Sequence, residues 1–513
     1  MNLIIHVNIN VKKEVMCLTA PILSTDILIL LFGLLLVAGV LATRVSTRFG
    51  LPALILFMGI GMLMGSDITG LIFFDDTNLA QMIGVAALVV ILFEGGLQTK
   101  WSSIRSVLAP SASLATIGVL LTTGLIAVAV RFVFGFDWVE SFLFGAIIGS
   151  TDAAAVFAAF KGKNISPKVG STLEAESGTN DPMAMFLTIL ALDFMLKPDT
   201  TIWDGIWMFI LQIIVGAFVG YMLGNLSRLM LNHLRLESSG LHAVLMISMA
   251  FMTYGVAAYF AGSGLLAVYL AAMIVGNAHT AHEVTIVQFS EALAWIMQII
   301  MFVILGLLVF PRQLLDPELI WKGLLISFIL MFIARPIAVY LSTIKMQFTH
   351  KEKLFISWAG LKGAVPIVLA TFPLIAGIDN AQLIFNAVFF VVVTSALIQG
   401  TTLTPLAAKL DLLGPDKIRS PYTIALVSSK QSQHQLVPYV ATEESSMIGK
   451  TLADITLPPN TVVNAIVRQD YLIPPTGQTK IEPGDLLYVL ASTYRHDQLD
   501  RKFGEDGLER VEL

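Results

Sequence analysis

Carboxylate and amide side chains lie inside two neighbouring segments that are apolar enough to be buried in lipid. Asp152 stands in the middle of one segment, and the run Glu174-Ala-Glu-Ser-Gly-Thr-Asn-Asp181 opens the next. A carboxylate at membrane depth costs about 3 kcal/mol on insertion scales, so such groups face a cavity or a partner and mark ion or proton paths. The pattern therefore indicates the working centre of an ion transporter.

Asp181 is the first candidate for a side chain that binds both a cation and a proton. Ser177 lies four residues earlier, so on a helix the two share a face. An alkali cation that enters lipid must exchange its water shell for oxygen ligands, and the same carboxylate can bind a proton instead. Competition for one site, combined with alternating access, is sufficient for antiport. The alternative is that Asp181 only caps a broken helix. The candidate cation- and proton-binding residues are Asp181, Asn180, Ser177, Asp152, Thr151 and Glu94.

Four charged side chains in these segments need separate roles. Glu94, late in the third segment, is either a third carboxylate ligand or a helix-end residue. Arg335 lies within the eleventh segment and cannot easily lose its charge. Because Glu176 lies on a different helix face from Asp181, we predict a structural ion pair between Glu176 and Arg335. Lys362 has two possible roles. Its positive charge neutralises the dipoles of half-helices or the charge of another carboxylate, or its side chain extends to the membrane interface by snorkelling.

Composition places the whole chain in the membrane class. Of its 513 residues 56% are hydrophobic and 13% are charged, whereas soluble domains carry about 25% charged residues. The net charge of −5 gives no basic patch for nucleic acid, and a single cysteine excludes an internal disulfide framework and a cysteine metal cage. We find no nucleophile–base set and no cofactor loop, so we expect neither an enzyme nor a bound cofactor.

Thirteen apolar segments approach the length of about 20 residues that a membrane span needs. We therefore predict an all-α polytopic membrane protein of about thirteen transmembrane helices in a bacterial plasma membrane. The segments lie near 24–43, 50–66, 78–98, 109–134, 138–160, 169–196, 203–230, 238–260, 263–277, 290–310, 318–344, 353–375 and 381–407.

The distribution of basic residues predicts the orientation of these segments. Loops after even-numbered segments and their edges hold at most four, Arg131, Lys197, Arg312 and Lys322. The positive-inside rule then puts the N-terminus outside and the C-terminus in the cytoplasm. Loops after odd-numbered segments hold twelve, namely Arg44, Arg48, Lys100, Arg105, Lys161, Lys163, Lys168, Arg228, Arg235, Lys345, Lys351 and Lys353.

Two of the segments carry helix breakers at their centres. One holds the glycines and polar residues of 145–152, and the other holds 360–366 with Lys362 and Pro366. They are seven segments apart and so have opposite orientations. A matched pair of interrupted helices is the sequence pattern of an inverted-repeat transporter with its site at the midplane. No residue-level repeat is visible, so the predicted symmetry is topological only.

The composition changes after Leu410. Residues 1–23 are predicted to be an N-terminal tail, 24–410 the transmembrane domain, 411–434 a polar linker, 435–496 a small cytoplasmic α/β domain and 497–513 a C-terminal tail. Within the small domain 435–441, 462–468 and 486–492 have the composition of strands, and 448–455 is typical of a short amphipathic helix. About 60 residues make a marginal lone domain, so we expect dimerisation.

Several of these motifs are familiar. Gly-Ser-Thr-Asp at 149–152, Glu-Ser-x-x-Asn-Asp at 176–181, Ala-Arg-Pro at 334–336 and Gly-Leu-Lys-Gly-Ala-Val at 360–365 resemble NhaP-type monovalent cation/proton antiporters. The fuller strings, such as GSTLEAESGTNDPMA and FISWAGLKGAVPI, are most similar to potassium/proton antiporters of the cell-volume-regulation subgroup. Residues 435–496, with IEPGDLLYVL, resemble the RCK_C (TrkA-C) regulatory module.

The resemblance implies a fixed dimerisation domain and a core domain that carries the site between the two sides of the membrane. Asp181 would be the cation and proton carboxylate, and Asn180 would hold the neighbouring unwound helix. The residues that would complete the coordination are Ser177, Thr151 and Glu94.

The resemblance also implies that Glu176 pairs with Arg335. At Lys362 the family usually has arginine, so the positive charge is kept but the bidentate fork of a guanidinium is lost. Because no GxGxxG half of an RCK unit is present, the module would bind a small ligand at a dimer interface, a nucleotide being one candidate.

These observations lead to an electroneutral antiporter that exchanges cytoplasmic K⁺, or Na⁺, for external H⁺, as a homodimer. The partners are K⁺, Na⁺, H⁺ and the lipid bilayer, without nucleic acid. The alternatives are a Na⁺/H⁺ antiporter, an RCK-gated potassium channel and a ligand-sensing receptor. The channel is disfavoured by the many segments, by the buried carboxylates and by the lack of a TVGYG filter.

Overall fold

The computed structural model describes residues 20–49, 52–160, 165–197, 199–234, 236–278, 282–414, 434–442, 445–455, 457–459, 461–469, 471–492, 503 and 508–510. The chain divides into two compact units, a helical one that reaches Gly414 and one that holds the C-terminal residues. The predicted N-terminal tail and linker fall mostly outside the described residues.

Helices and the loops between them make up the described part of the first unit. Its helices are α1 (Ala20–Phe49), α2 (Ala53–Met64), α3 (Thr77–Gln98), α4 (Trp101–Arg105), α5 (Leu108–Ser113), α6 (Val119–Val133), α7 (Trp138–Ile147), α8 (Ala153–Ala159), α9 (Pro167–Leu196), α10 (Ile202–His233), α11 (Ser239–Tyr259), α12 (Gly264–Gly276), α13 (Glu283–Leu307), α14 (Pro311–Leu314), α15 (Pro317–Ile329), α16 (Arg335–Ser342), α17 (His350–Trp358), α18 (Ala364–Leu369), α19 (Thr371–Ala376) and α20 (Ala381–Lys409).

Two of the long helical segments contain a π-helical turn. Leu114–Gly118 joins α5 to α6, and Leu330–Ala334 joins α15 to α16. The second turn comes directly before Arg335 and Pro336. A proline has no N–H, and its ring displaces the carbonyl four residues earlier, which explains why the hydrogen-bond ladder is widened there.

Eight helices of the described residues are long and apolar enough to cross a membrane. Shorter apolar helices occur at Ala53–Met64, Trp138–Ile147, Gly264–Gly276 and Ala364–Ala376. The chain is thus a multi-pass membrane protein. Each of the thirteen predicted segments coincides with one helix or with a run of two or three shorter helices, although the inverted repeat and the crossing of all thirteen remain predictions.

The outer faces of the helices are apolar, as a lipid environment requires. On α10, Trp203 is 77% exposed and Phe218 63% exposed. Trp203 and Trp207 lie in the first turns of that helix, where aromatic rings meet the membrane–water boundary. Small residues on the inner face, such as Gly220 and Gly224, touch the backbone of α12, so that these two helices approach closely.

The described part of the second unit is an antiparallel sheet of five strands in the order β3-β2-β4-β1-β5. Apolar side chains cover both faces of the sheet, with Val437 and Val489 on one face and Val440 and Tyr488 on the other. The strands are β1 (His434–Ala441), β2 (Val462–Arg468), β3 (Tyr471–Ile473), β4 (Leu486–Ser492) and β5 (Leu508–Arg510).

The structure corrects two details of the predicted α/β domain. The predicted helix over 448–455 is wrong, because this segment forms consecutive turns in which Gly449 has a φ of +78°. Its amide groups bond the loop before β4, for example the Gly449 N–H to the Ile481 carbonyl at 2.8 Å. In addition, β5 pairs with β1 although it falls in the predicted C-terminal tail. A three-residue strand is too short to show alternation.

One buried carboxylate holds the turn that leads into β4 and joins it to β2. Asp485 is fully buried and accepts hydrogen bonds from Arg468 Nε and Nη2, both at 2.8 Å, and from the Glu482 N–H at 2.9 Å. These bonds raise the pKa of the Arg468 guanidinium above its usual range, and they fix Arg468 across the sheet.

We expect Asp485→Ala to destabilise this sheet by about 3 kcal/mol, because three charge-assisted hydrogen bonds are lost and a guanidinium is left partly unpaired. Hydrogen exchange of β2 and β4 in the full-length protein should accelerate by about 100-fold. Asp454→Ala is the matched control, since that carboxylate takes one exposed bond from Thr451 and should change stability by less than about 0.5 kcal/mol. Equal exchange in the two variants would contradict the assignment.

Candidate functional site

The first predicted break is present between α7 and α8. Helix α7 ends at Ile147, α8 begins at Ala153, and the residues between them are not helical. Asp152 caps α8, because its side chain accepts the Ala155 N–H at 3.1 Å. A short polar side chain in this position satisfies an amide that the break leaves without a partner.

The second break lies between α17 and α18 and crosses the first. The Asp152 N–H donates to the Leu361 carbonyl at 2.8 Å, so the two unwound segments are hydrogen-bonded to each other. A Cβ on Gly363 would overlap the Asp152 carboxylate, which explains the glycine at this position. Two interrupted helices therefore meet backbone to backbone in the interior of the helical unit.

Helix α9 lies against this crossing and holds the first unwound segment. The Asn180 Nδ2 donates to Thr151 Oγ1 at 2.6 Å. The Ser177 hydroxyl donates to the Thr151 carbonyl at 3.0 Å and accepts the Ala153 N–H at 3.1 Å. Asn180 and Ser177 thus act as clamps that replace the backbone bonds of a continuous helix.

After these bonds are made, oxygen atoms without a partner remain beside the crossing. Asp181 Oδ1, Asn180 Oδ1 and Ser150 Oγ are buried and have no hydrogen-bond partner among the described residues. Pro182 follows inside α9, and since it has no N–H, the Gly178 carbonyl also loses its helical donor. These atoms can accept a proton or a cation, which is the ligand set that an alkali ion needs.

Lys362 lies at the end of the first half-helix. Its Nζ donates to the Ser150 carbonyl at 2.8 Å and approaches the Gly149 carbonyl at 3.5 Å, and the residue is 1% exposed. The ammonium therefore neutralises the negative end of α7 and does not snorkel to an interface. Its charge and that of Asp152 act on Asp181.

Glu176 and Arg335 form a buried ion pair, as the sequence predicts. Arg335 Nη2 and Glu176 Oε1 are 2.6 Å apart, and the two side chains are 2% and 0% exposed. The guanidinium also packs against Gly360 in the second break, where a Cβ would lie 2.6 Å from Nε. The pair consequently ties α9 to the segment before α18.

The structure does not join Glu94 to this cluster. The Glu94 carboxylate accepts a hydrogen bond from Gln98, one turn later on α3, and its charged neighbour is Glu291 on α13. The other predicted site residues, Thr151, Asp152, Ser177, Asn180 and Asp181, come together at the crossing.

Three residues shape this site although the sequence analysis gave none of them a binding role: Ser150 and Gly363 were predicted only as helix breakers, and Leu361 received no role. Ser150 presents an unpartnered hydroxyl, Leu361 supplies the carbonyl that joins the two breaks, and Gly363 makes room for Asp152. The Ser150 hydroxyl could have been included among the candidate ligands, since Ser150 lies between the glycine and the threonine of the first break. Nothing in the sequence pairs Leu361 with Asp152.

A family model described as the transmembrane sodium/hydrogen exchanger matches residues 32–409, and a TrkA-C domain model matches residues 436–504. The chain belongs to the sodium/hydrogen exchanger family. As a member of this family it is a cation/proton antiporter, and its TrkA-C domain is a regulatory module. The resemblance drawn from the sequence motifs is thereby confirmed.

Three relatives of known name align with most of the length of this family member. The K(+)/H(+) antiporter NhaP2 of Shewanella sp. strain ANA-3 is 39% identical over 94% of this chain and 84% of its own length. The K(+)/H(+) antiporter NhaP of Alkalimonas amylolytica is 40% identical over 87% and 78%. The Na(+)/H(+) antiporter ApNhaP of Aphanothece halophytica is 28% identical over 69% and 70%.

A solved structure shares the fold of the helical unit. The sodium proton antiporter MjNhaP1 from Methanocaldococcus jannaschii at pH 8 matches with a TM-score of 0.66 and 24% identity, over 75% of this chain and 99% of that one. The antiporter fold is therefore shown for the transmembrane part of the family member described above.

We expect Glu176→Gln and Arg335→Met each to destabilise the protein by about 4 kcal/mol, because each leaves one buried charge unpaired. The double variant should lose clearly less than the sum of the two. The readout is thermal unfolding in detergent. The exposed pair Lys351–Asp411, at 2.6 Å, is the matched control and should contribute at most about 0.5 kcal/mol. Additive losses at Glu176 and Arg335 would show that the pair is not a unit.

Proposed function

We propose that this antiporter exchanges cytoplasmic K⁺ for external H⁺ in a bacterial plasma membrane, with Asp181 as the group that carries either ion. The observation that carries the proposal is the buried Asp181 oxygen that has no partner among the described residues, beside the crossing of two interrupted helices. Two relatives named as K(+)/H(+) antiporters, at 39% and 40% identity, favour K⁺.

A Na⁺/H⁺ antiporter is the second candidate. The family description and the relative from Aphanothece halophytica name sodium. Both alkali cations use the same oxygen ligands, so the donor set at Asp181 accommodates either ion, and the comparison of K⁺ with Na⁺ belongs in the experiment.

In the proposed mechanism the cation is the cargo and this chain supplies oxygen ligands. The ligands are the Asp181 carboxylate, the Asn180 amide oxygen and the Ser150 hydroxyl, together with carbonyls freed by the two breaks. Ser177, Thr151 and Asp152 complete the set through the same unwound segment. Glu94 would join as a third carboxylate after it releases its bond to Gln98.

Protonation of Asp181 cancels the charge that holds the cation, so the two ions exclude each other. The site then moves between the two sides only when it holds one of them, which couples the fluxes. One carboxylate that exchanges its proton for the cation, Asp181, favours one-for-one exchange and hence electroneutrality. Lys362 and Arg335 keep their own partners throughout, at Ser150 and Glu176, and so supply fixed charge.

The remaining parts of the proposal concern assembly. They are thirteen membrane spans with inverted repeats, an external N-terminus, a cytoplasmic C-terminus and a homodimer. Support comes from the matched interrupted helices, from the asymmetry of basic residues and from the small size of the C-terminal sheet. A nucleotide at the TrkA-C domain is the proposed regulatory ligand.

We expect K⁺ to drive proton efflux from proteoliposomes that carry wild-type protein and a pH-sensitive dye, with choline inactive and Na⁺ as the comparison ion. Asp181→Asn should abolish the signal, because an amide cannot exchange a proton for a cation. Asp193→Asn is the matched control on the same helix, since Asp193 pairs with Lys197 at 2.7 Å near its end.

Two results would contradict this proposal. Coupled transport in Asp181→Asn would exclude Asp181 as the carrier. A K⁺ flux without protons, at more than about 10⁵ ions per second, would favour the channel, because a transporter cycles on conformational timescales. A transport current that reverses with voltage would refute electroneutral exchange only.

Deletion of residues 435–513 tests the regulatory role of the TrkA-C domain. The probes are a cyclic dinucleotide and ATP, added to full-length and truncated protein over a range of pH. We expect the full-length protein alone to respond to a nucleotide, with the transport site intact in both. Identical pH profiles and identical responses would remove the regulatory role from this domain.

A further inference from the structure

A polar cluster away from Asp181 joins the first turns of α9 to the ends of α3 and α12. The Glu174 Oε1 and Thr99 Oγ1 atoms are 2.6 Å apart, and the Tyr269 hydroxyl lies 3.5 Å from Thr99 Oγ1. The Asn277 Nδ2 donates to the Thr99 carbonyl at 2.8 Å. Thr99 is 1% exposed and Tyr269 4% exposed, whereas Glu174 is half-buried. None of these groups has a part in the mechanism above.

The Thr99 hydroxyl has two acceptors for one proton. Its Oγ1 lies 2.8 Å from the Gly95 carbonyl as well as 2.6 Å from Glu174. The Thr99 N–H bonds the Gly96 carbonyl at 3.3 Å, so the Gly95 carbonyl lacks the N–H that a longer helix would supply. A carbonyl and an ionised carboxylate can only accept, and a hydroxyl has a single proton to donate.

A proton on Glu174 resolves this conflict. The neutral carboxylic acid donates to Thr99 Oγ1, and the Thr99 proton is then free to bond the Gly95 carbonyl. We propose that Glu174 is a second proton-binding group of this antiporter, distinct from Asp181, and that in its protonated form it ties α9 to α3 and α12.

The position of the cluster gives this proton a consequence for transport. The Tyr269 ring packs against Gly178, where an added Cβ would overlap the atoms of the ring. Helix α12 packs with α3, α10, α11 and α13 in an apolar cluster that contains no residue of α9, and it touches α9 through Ala175, which packs against Tyr269 and Met273. The Glu174–Thr99 bond therefore adds a polar link between the helix that bears Asp181 and this group, and the bond must break whenever α9 moves past that group.

Loss of the Glu174 proton should release α9. Ionised Glu174 and the Gly95 carbonyl then compete for one donor, and the bond across the helices weakens. The other titratable or charged groups on the elements packed against this side of α9 are Tyr269 on α12, Glu94 on α3, Lys100 at the end of α3 and Arg105 on α4. Acid conditions thus hold the transporter in one state, and alkaline conditions free it.

The test separates this effect from competition at Asp181 by using saturating K⁺. Acid inhibition at Asp181 is overcome by more K⁺, whereas inhibition through Glu174 is not. Exchange rates are measured in proteoliposomes from pH 6 to pH 9 for wild type, Glu174→Gln, Glu174→Ala and Thr99→Val. Glu140→Gln is the matched control, because that carboxylate bonds Asn380 at 3.0 Å in another part of the unit.

Glu174→Gln keeps a donor to Thr99 and cannot ionise, so its rate at alkaline pH should fall by about fivefold. Glu174→Ala and Thr99→Val lack the bond, so at saturating K⁺ their exchange rates should no longer fall at acid pH. Glu140→Gln should follow the wild type. Wild-type profiles for all three test variants at saturating K⁺ would overturn the proposal while leaving Asp181 antiport intact.

A second measurement tests the role of the Glu174 proton if a variant does not transport. Hydrogen exchange of residues 95–101 and 269–277 is compared at pH 6 and pH 8. Protection in the wild type should fall with rising pH, and in Glu174→Gln it should persist. Equal pH responses in the two proteins would overturn the proposal.

Discussion

Unpaired backbone amides and carbonyls inside lipid are the constraint on which this structure depends. Each such group costs several kcal/mol where no water can reach it, yet two helices are interrupted in the interior of the helical unit. The breaks are tolerated because they satisfy each other. The Asp152 N–H meets the Leu361 carbonyl, Lys362 covers the carbonyl of Ser150, and side chains of α9 hold the segment around Thr151.

The polar atoms that remain without a hydrogen-bond partner determine the chemistry of the site. The backbone N–H of Asp152 and the donors on Lys362, Ser177 and Asn180 are used, and the oxygen atoms at the crossing without a partner among the described residues lie on Asp181, Asn180 and Ser150. A pocket of buried acceptors is stable only with a proton or a cation in it. The buried pair of Glu176 and Arg335, by contrast, is joined by one bond of 2.6 Å and ties α9 to the second break, although Glu176 Oε2 and Arg335 Nε have no hydrogen-bond partner among the described residues.

Much of this could be predicted from the sequence, because membrane burial makes polar residues conspicuous. The helical segments follow from apolar length, the grouping of Ser177 and Asn180 with Asp181 from polar residues at membrane depth, and the ion pair from one arginine that needs a partner. The role of Ser177 as a clamp was not predicted, since the sequence indicated only a cation ligand. Contacts between backbone atoms could not be predicted. The contact of Leu361 with Asp152, for example, is made by the Leu361 carbonyl, which every residue type has, and not by its side chain. The residue pattern of the turns at 448–455 is also that of an amphipathic helix, and the left-handed conformation of Gly449 is not visible in it. The hydrogen bond between Glu174 and Thr99 joins helices whose packing the sequence does not specify.

The most direct test of the central claim counts the protons that leave when the cation binds. Purified protein in detergent and weak buffer is titrated with KCl while a pH electrode or dye records proton release. The account predicts one proton released per K⁺ bound, and no release from Asp181→Asn. K⁺ binding without proton release, or an unchanged release from Asp181→Asn, would show that the two ions do not share this carboxylate.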